Sequence, residues 1–291
     1  MILVTGATGN AGSQVVRALH GREAVVRAFV RDAENGRRMF SDEVELAVGD
    51  FADASSVRDA LEGVDAMLLS CADDPRRVRW ETSAIDAAAA AGVARIVKLS
   101  TIGAEPGAPV AFWDWHGQVE ERLRSSGVSF VILQSSFYMS NLLLAAEQVA
   151  REGRLYAPVG EARVAMVDPR DVGAAAAAVL TGAGDDRQTY LITGPEAITW
   201  AQIAADLASA TGRDVEFVDV PDEGAKQALI AAGLSEFVAE QLIKTFAMLR
   251  HGVAEQVTDA VEALTGARAR SFGDFARDHA HLFAPAIAAP R

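Results

Sequence analysis

The chain has 291 residues, half of them hydrophobic and 23% charged, which is typical of a globular protein with a sizeable core. Its net charge of −13 argues against binding to nucleic acid or to an anionic membrane. Cys71 is the only cysteine, so an internal disulfide and a cysteine-rich metal site are excluded. The sequence shows neither a signal peptide nor an apolar run of transmembrane length, so we expect a cytoplasmic protein without a bound metal.

Strands and helices are predicted to alternate through the first two thirds of the chain. Apolar runs predict strands at 2–4, 25–30, 44–48, 66–69, 95–99 and 128–133. Helices are predicted at 11–20, 55–62, 78–91, 113–126 and 140–151, with Gly92 as a C-cap. The polar connection at 32–42 is a loop or a short helix. This order is typical of an α/β fold with a doubly wound parallel Rossmann sheet.

The pattern changes after residue 153. Short strands are predicted at 154–157, 163–167, 190–194 and 215–218, and helices at 168–180, 199–211, 222–232, 236–251 and 272–282. Asp171 is a candidate cap for the alanine-rich helix at 168–180. We predict a Rossmann domain at 1–195, with 155–170 contributing to the second lobe. A small, mostly helical lobe at 196–291 is predicted to cover the substrate.

A glycine-rich turn follows the first predicted strand directly. Gly6 would allow the sharp bend, and the next glycines would let the backbone approach a pyrophosphate and the helix approach its strand. The start of that helix offers N–H groups and a positive dipole end to phosphates. The alternative is a tight turn without a ligand. The residues predicted to bind the phosphates are Gly6, Thr8, Gly9, Asn10, Ala11 and Gly12.

The spacing Gly-x-x-Gly-x-x-Gly and the opening Thr-Gly-Ala-Thr-Gly resemble those of the atypical short-chain dehydrogenases/reductases. Further matching segments follow in order at 27–32, 48–53, 116–120, 137–141 and 167–172. Together they resemble the NmrA-like family. That family includes NAD(P)H:quinone reductases and redox-sensing proteins that bind cofactor without turning it over. The resemblance therefore implies the fold and leaves the activity open.

The end of the second predicted strand indicates the type of dinucleotide. No acidic residue precedes Asp32, whereas Arg31 offers a planar fork of donors for a 2′-phosphate. NADPH is therefore predicted, with NADH as the alternative cofactor and pairing with Asp32 or Glu34 as the alternative role of Arg31. The resemblance places Asp50 beside the adenine. The other predicted cofactor residues are Phe51, Ser70, Cys71, Ala72, Ser100, Thr101 and Phe137.

The chain lacks the Tyr-x-x-x-Lys pair with which short-chain dehydrogenases protonate a ketone product. By alignment on Gly127, Phe112 takes the tyrosine position and His116 the lysine position. His116 is expected to point inward, because it shares a helical face with Val119 and Leu123. Its imidazole is expected to titrate near neutral pH. We consider three roles for it: protonating the product, holding the ribose, or packing.

Two aromatic groups fall on loops expected at the carboxyl edge of the sheet. A flat aromatic acceptor would stack on them, and the alternative is that these rings belong to the core. The predicted substrate residues are Phe112, Trp113, Trp115, Tyr138, Met139 and Asn141. Ser100 and Thr101 end the fifth predicted strand, where a hydroxyl would orient the acceptor oxygen or cap the next turn.

These observations predict an NADPH-dependent reductase of a quinone-type aromatic acceptor, in a monomer or a homodimer. A quinone requires no strong acid, because hydride addition to it gives a phenolate, which is a weak base. We expect a role in tailoring a polycyclic aromatic natural product, as in antibiotic biosynthesis. One alternative is a non-catalytic redox sensor that acts through a protein partner. Another is an isomerase or dehydratase on the same scaffold.

Overall fold

A computed structural model describes residues 1–22, 24–40 and 42–285. The chain forms two compact units. The first, which we call the sheet unit, comprises Met1–Ser135, Pro169–Ile192 and Asp259–Arg268. The second unit comprises Ser136–Asp168, Thr193–Thr258 and the residues from Ala269 onward. The division into domains at 195/196 stays a prediction, and residues 286–291 of the predicted lobe lie outside the described part.

The strands lie close to the predicted positions. They are β1 (Ile2–Val4), β2 (Val26–Val30), β3 (Glu45–Val48), β4 (Ala66–Leu69), β5 (Arg95–Thr101), β6 (Ser129–Ser135), β7 (Arg154–Ala157), β8 (Arg163–Val164), β9 (Gln188–Ile192), β10 (Ile198–Thr199) and β11 (Glu216–Asp219). The run at 163–167 forms a strand only over its first two residues, and β10 was not predicted. Such short strands carry too few alternating residues to show a period of two.

The helices also follow the predicted order. They are α1 (Asn10–His20), α2 (Ala33–Met39), α3 (Ala54–Ala60), α4 (Arg77–Ala91), α5 (Ala111–Arg124), α6 (Ala146–Glu152), α7 (Pro169–Leu180), α8 (Trp200–Thr211), α9 (Asp222–Ala231), α10 (Glu236–Arg250), α11 (Ala260–Thr265) and α12 (Phe272–Asp278). Among the described helices, none is both long enough and apolar enough to cross a membrane.

The sheet unit contains a seven-stranded parallel sheet in the order β3-β2-β1-β4-β5-β6-β9. Its central strands are buried along their whole length, which explains their continuous apolar runs. The strand order reverses between β1 and β4, and open α/β sheets bind ligands at this switch point. The predicted doubly wound Rossmann fold is therefore confirmed.

Helices cover both faces of this sheet. One face forms a core with α3, α4 and α5 from the residues Leu3, Leu61, Met67, Ile85, Ile96, Val119, Leu123, Phe130 and Ile132. On α7, a Cβ at Gly173 would lie 2.7 Å from the backbone of Gln14 in α1. Because such a contact is too short, the two helices can approach this closely only with glycine at that position.

The observed helix ends test several of the predictions made for helix caps. Gly92 ends α4 with φ of 78°, which confirms the predicted C-cap. The segment after β2 forms the short helix α2, capped by the Asp32 carboxylate at the amides of Glu34 and Asn35. The prediction that Asp171 caps its helix is wrong, because α7 begins earlier, at Pro169. Proline suits the first turn of a helix, since it has no N–H to satisfy there.

The second unit is mostly helical and has two small sheets. β7 pairs with β11 in parallel, and β8 pairs with β10 antiparallel. The helix predicted at 140–151 forms as a 3₁₀ segment over Met139–Ala145 followed by α6. The helix predicted at 272–282 ends at Asp278, and a short 3₁₀ turn follows. No sequence pattern predicted α11, which belongs to the sheet unit.

Candidate functional site

The turn between β1 and α1 requires glycine at two of its three glycine positions. Gly6 has φ of +62°, and a Cβ there would lie 2.8 Å from the carbonyl oxygen of Ser70. A Cβ at Gly12 would lie 2.1 Å from the carbonyl oxygen of Gly6. No side chain can enter these spaces without moving backbone. The turn is thus bare and tightly folded, as a pyrophosphate cradle must be.

The start of α1 suits an anion. Gly9 is its N-cap and supplies no side-chain hydrogen bond, and the first turn carries no acidic residue. Thr8, Gly9 and Asn10 are exposed, whereas Ala11 is buried. The positive end of the helix dipole is therefore accessible and not already neutralised by a carboxylate. These residues fit the phosphates of a dinucleotide.

Thr5 joins this turn to the residue after β4. Its hydroxyl donates to the carbonyl oxygen of Leu68 at 2.8 Å or of Ser70 at 2.9 Å, and it accepts from the Ser70 amide at 2.9 Å. Thr5 is buried, and sequence reasoning did not single it out. The hydroxyl residue immediately before Gly6 was the available signal. Its contacts fix the loop after β4 beside the glycine turn.

Arg31 follows β2 directly and is exposed. Within the described part of the chain it has no hydrogen bond or ion pair, and the carboxylate of Asp32 is used instead to cap α2. The alternative of pairing with Asp32 or Glu34 therefore does not occur here. An unpaired guanidinium at this position is available to a 2′-phosphate.

Two predicted cofactor residues follow β3 in the sheet unit: Asp50, expected beside the adenine, and Phe51. The Asp50 carboxylate accepts from the amide of Ala52 at 2.8 Å, which holds this turn in shape. The Phe51 ring contacts Phe29 edge to face, with ring centroids 5.7 Å apart. Both residues are half-buried, so part of each remains accessible.

His116 lies on α5 in a buried chain of hydrogen bonds. The Arg77 guanidinium donates to Nε2 at 2.8 Å, so the ring proton is on Nδ1, 3.4 Å from Ser100 Oγ. Ser100 in turn donates to Glu120 Oε1 at 2.5 Å. All four side chains are buried. The Ser100 hydroxyl therefore uses its proton in the bond to Glu120, and its expected role at an acceptor oxygen or the next turn stays a prediction.

The expectation that His116 titrates near neutral pH is wrong. Burial is the largest cause of a pKa well below the ordinary value of 6.5, and the charges of Lys98 and Arg77 lower it further. The imidazole is consequently neutral at physiological pH and carries no acidic proton. Its inward direction was predicted correctly, because the side chain is buried. Its assignment to the site stays a prediction.

This low pKa gives His116 an effect on stability. Below about pH 6.5 the unfolded chain takes up a proton on His116 that the folded chain excludes. The free energy of unfolding therefore decreases as the pH is lowered, by up to ~1.4 kcal/mol per pH unit. We expect His116→Gln to remove this contribution and to make the acid slope shallower. Denaturant unfolding between about pH 5 and 7 measures it. The control is His251→Gln, which changes a histidine at an exposed position. If the free energy of unfolding depended on pH equally in His116→Gln and in the parent, the low pKa of His116 would be contradicted.

Four further ionisable residues around His116 were missed by sequence reasoning. Lys98 and Glu81 are fully buried and lie 3.1 Å apart, and Arg77 Nε lies 3.6 Å from Glu81 Oε2. Glu120 also accepts from Gln134 at 3.0 Å. A lysine inside an otherwise apolar strand was the available signal for this cluster. Positive and negative charges balance within it, as burial of ions requires.

The predicted acceptor residues of the sheet unit separate into two kinds. Phe112 and Trp115 are half-buried at the start of α5 and contact each other edge to face, with centroids 5.5 Å apart. Trp113 is buried, and its ring lies where a Cβ at Gly103 would be, at 2.5 Å. Its ring is therefore part of the packing beneath the loop after β5. Phe112 and Trp115 remain the candidates for stacking.

The other predicted acceptor residues belong to the second unit, as does Phe137, which was predicted to contact the cofactor. The Phe137 ring lies 6.1 Å from that of Trp200, and Tyr138 pairs with Val167 through a parallel bridge. Met139 is 1% exposed, so its side chain fills the interior of this unit instead of lining a surface. Asn141, on the 3₁₀ segment, is exposed. Their part in the site stays a prediction.

The remaining predicted cofactor residues lie at the carboxyl ends of sheet strands. Ser70, Cys71 and Ala72 follow β4, and Thr101 ends β5. These ends lie on the same edge of the parallel sheet as the glycine turn after β1.

A parallel sheet with a bare glycine turn at its switch point defines a dinucleotide-binding protein of the Rossmann class. The chain belongs to the NmrA-like family, whose model matches residues 1–272. The resemblance inferred from the motifs is thus confirmed.

Similar proteins match over nearly the whole chain. NAD(P)H azoreductase of Xenophilus azovorans is 37% identical over 286 residues, which covers 98% of this chain and 100% of the relative. A (4-alkanoyl-5-oxo-2,5-dihydrofuran-3-yl)methyl phosphate reductase of Streptomyces griseus is 38% identical over 286 residues, with the same coverage. A solved NADPH-dependent quinone oxidoreductase of Escherichia coli, complexed with NADPH, has a TM-score of 0.88 at 27% identity, covering 97% of this chain and 100% of that one.

Proposed function

We propose that this protein is an NADPH-dependent reductase that transfers a hydride to a quinone-type aromatic acceptor. The observation that carries the proposal is the chemistry at the tyrosine and lysine positions of the short-chain dehydrogenases. Phe112 cannot donate a proton, and His116 is buried and neutral in its bond to Arg77. A product that needs a strong, positioned acid is therefore disfavoured.

The chain is an NAD(P)H-dependent oxidoreductase, and its cofactor is NADPH. The bare turn at Gly6–Gly12 fits the pyrophosphate, since a Cβ at either end would meet backbone. Arg31 supports recognition of the 2′-phosphate by its exposure and lack of a partner in the described residues. Bound NADPH supplies the hydride, and the protein binds it, orients it and excludes water.

The acceptor is one that stabilises negative charge itself. Hydride addition to a quinone gives an aromatic phenolate, which water protonates readily, whereas a simple ketone gives a strongly basic alkoxide. The relatives' names describe reductases of an azo compound, an unsaturated furanone and a quinone. All three are conjugated acceptors. This common chemistry supports an acceptor that needs positioning more than acid catalysis.

A panel of acceptors tests the proposal through the loss of NADPH absorbance. We expect turnover with menadione and phenanthrenequinone, the larger quinone being preferred if the physiological acceptor is a polycyclic natural product. Cyclohexanone should react at least ~100-fold more slowly, the lower range of a general acid's contribution. Equal rates with cyclohexanone would contradict the proposal. Tight NADPH binding without oxidation by any acceptor would instead identify a redox sensor.

Trp115 should contribute to acceptor binding. We expect Trp115→Ala to raise the KM for menadione about tenfold, because loss of stacking and of buried aromatic area costs ~1–3 kcal/mol. The dissociation constant for NADPH should stay unchanged. Trp113→Ala serves as the contrast: its ring is buried, so it should lower the free energy of unfolding by ~3–5 kcal/mol. An unchanged KM in Trp115→Ala would remove this residue from the acceptor site.

A further inference from the structure

The loop after β4, Ser70–Asp73, is fixed at its beginning to the glycine turn. Thr5 exchanges hydrogen bonds with the amide and carbonyl groups of Ser70, all at 2.9 Å. A Cβ at Gly6 would lie 2.8 Å from the same carbonyl oxygen. The first residue of the loop therefore moves only if the phosphate cradle moves with it.

Arg77 fixes the other end of this loop. One guanidinium nitrogen, Nη2, donates to the Cys71 carbonyl oxygen at 2.5 Å. The other, Nη1, donates to the Asp73 carboxylate at 2.5 Å and to His116 Nε2 at 2.8 Å. A single side chain thus joins the loop after β4 to helix α5. All of these residues belong to the sheet unit.

Burial of the Arg77 guanidinium at the start of α4 costs free energy of folding. Arg77 is the first residue of α4, where a positive charge opposes the helix dipole, and no acidic residue lies in that first turn. The side chain is 4% exposed, and its Nε has no hydrogen-bond partner among the residues that the structure describes. Burial of a charge costs several kcal/mol unless it is paired, and here Glu81 and Asp73 provide the pairing. An apolar residue in place of Arg77 would fill the same space without burying a charge.

We propose that Arg77 is a positioning residue for the cofactor: it holds the loop Ser70–Asp73 against His116 so that the loop backbone lines the dinucleotide next to the glycine turn. This inference rests on the proposed function, because the loop is assigned to the cofactor. Arg77 itself need not touch NADPH. Its effect passes through the carbonyl of Cys71 and the carboxylate of Asp73, which are held in place before the cofactor binds.

Only arginine can make this set of contacts. The planar guanidinium presents two nitrogens in a fixed geometry and reaches the loop and the helix together. Lysine would retain the positive charge beside Glu81 but has a single nitrogen. Arg77→Lys consequently keeps the positive charge and removes the bridge between the loop and helix α5.

Cys71 provides a reporter inside the loop. It is the only cysteine of the chain and is half-buried, and burial raises the pKa of its thiol to about 12. Since the thiolate is the reactive form, the native loop should react slowly with a thiol reagent such as dithiobis(nitrobenzoate). Release of the loop exposes the thiol, and Arg77→Lys does so without removing the neighbouring cation.

The experiment compares the parent with Arg77→Lys, Arg77→Met and the control Arg79→Met, an exposed arginine on the same helix. The reaction of Cys71 is measured without cofactor, and the dissociation constant for NADPH is measured by its fluorescence. In Arg77→Lys we expect thiol reaction to accelerate at least ~5-fold and NADPH binding to weaken about tenfold, as loss of a buried charged hydrogen bond predicts. The kcat at saturating NADPH should change less than ~3-fold, and the control should match the parent.

Each result decides the proposal. Unchanged thiol reaction in Arg77→Lys would show that Arg77 does not hold the loop. Faster thiol reaction with unchanged NADPH binding would show that the loop does not position the cofactor. A parent protein that fails to bind NADPH would refute the proposed function instead. The thiol measurement without cofactor would still test whether Arg77 holds the loop. If Arg77→Met fails to fold, Arg77→Lys alone decides.

Discussion

Gly12→Ala is expected to abolish NADPH binding at ordinary cofactor concentrations. The new Cβ would lie 2.1 Å from the Gly6 carbonyl oxygen, so the glycine turn has to open to admit it. The phosphate cradle is lost with that movement. We expect the dissociation constant for NADPH to rise at least ~100-fold, which corresponds to ~2.8 kcal/mol. Isothermal titration of the folded variant with NADPH measures the effect.

The control for this prediction is Gly21→Ala at the other end of the same helix. A Cβ at Gly21 would meet only the Ala18 carbonyl oxygen at 3.8 Å, an ordinary contact. Gly21→Ala should therefore bind NADPH like the parent. Thermal unfolding checks that Gly12→Ala remains folded, with an expected loss of ~1–3 kcal/mol for an overpacked site. A folded Gly12→Ala protein with unchanged affinity would contradict the location of the phosphate cradle.

Arg31→Ala is expected to convert the protein from preferring NADPH to treating NADPH and NADH alike. The guanidinium is exposed at the end of β2 without a polar partner in the described chain, so its removal breaks no hydrogen bond or ion pair there. Loss of charge-assisted hydrogen bonds to a 2′-phosphate should weaken NADPH binding by ~1.5–3 kcal/mol, about 10- to 100-fold. The affinity for NADH should hardly change. Dissociation constants for both cofactors measure the switch.

Arg17→Ala is the matched control, since Arg17 is an exposed arginine in the last turn of α1. It removes the same charge from the sheet unit at the end of the helix away from the glycine turn. If Arg17→Ala weakened NADPH as much as Arg31→Ala, the effect would come from net charge rather than from phosphate recognition. Equal losses for NADPH and NADH in Arg31→Ala would likewise refute the assignment.

Local sequence patterns predicted the elements of the sheet unit well. The six strands predicted in the first two thirds of the chain all form, because continuous apolar runs bounded by turns are what a sheet covered on both faces requires. The glycine turn was equally predictable. The positive φ of Gly6 and the close approach of Gly12 to the Gly6 carbonyl oxygen exclude other residues at these two positions. Short pieces such as β10 and α11 were missed because they carry too few residues to show a period.

The inward direction of one candidate residue was predictable, but its polar contacts were not. That His116 points inward follows from spacing on one helix. Its lowered pKa depends first on burial and then on the charges of Lys98 from β5 and Arg77 from α4. Trp113 and Trp115 are two residues apart on one helix start, and packing against Gly103 buries the first. No local pattern contains these neighbours, because they come from distant parts of the chain.

Local sequence is enough to predict the alternation of strands and helices, the glycine turn, the place of Arg31 after β2 and the absence of a tyrosine–lysine pair. These are properties of chain-adjacent residues, fixed by backbone geometry and by the period of burial. Only folding makes His116 a neutral acceptor of the Arg77 guanidinium and brings Arg77 between the loop after β4 and helix α5. Protonation and hydrogen bonding depend on desolvation and on charges a few ångströms away, and only folding brings those charges together.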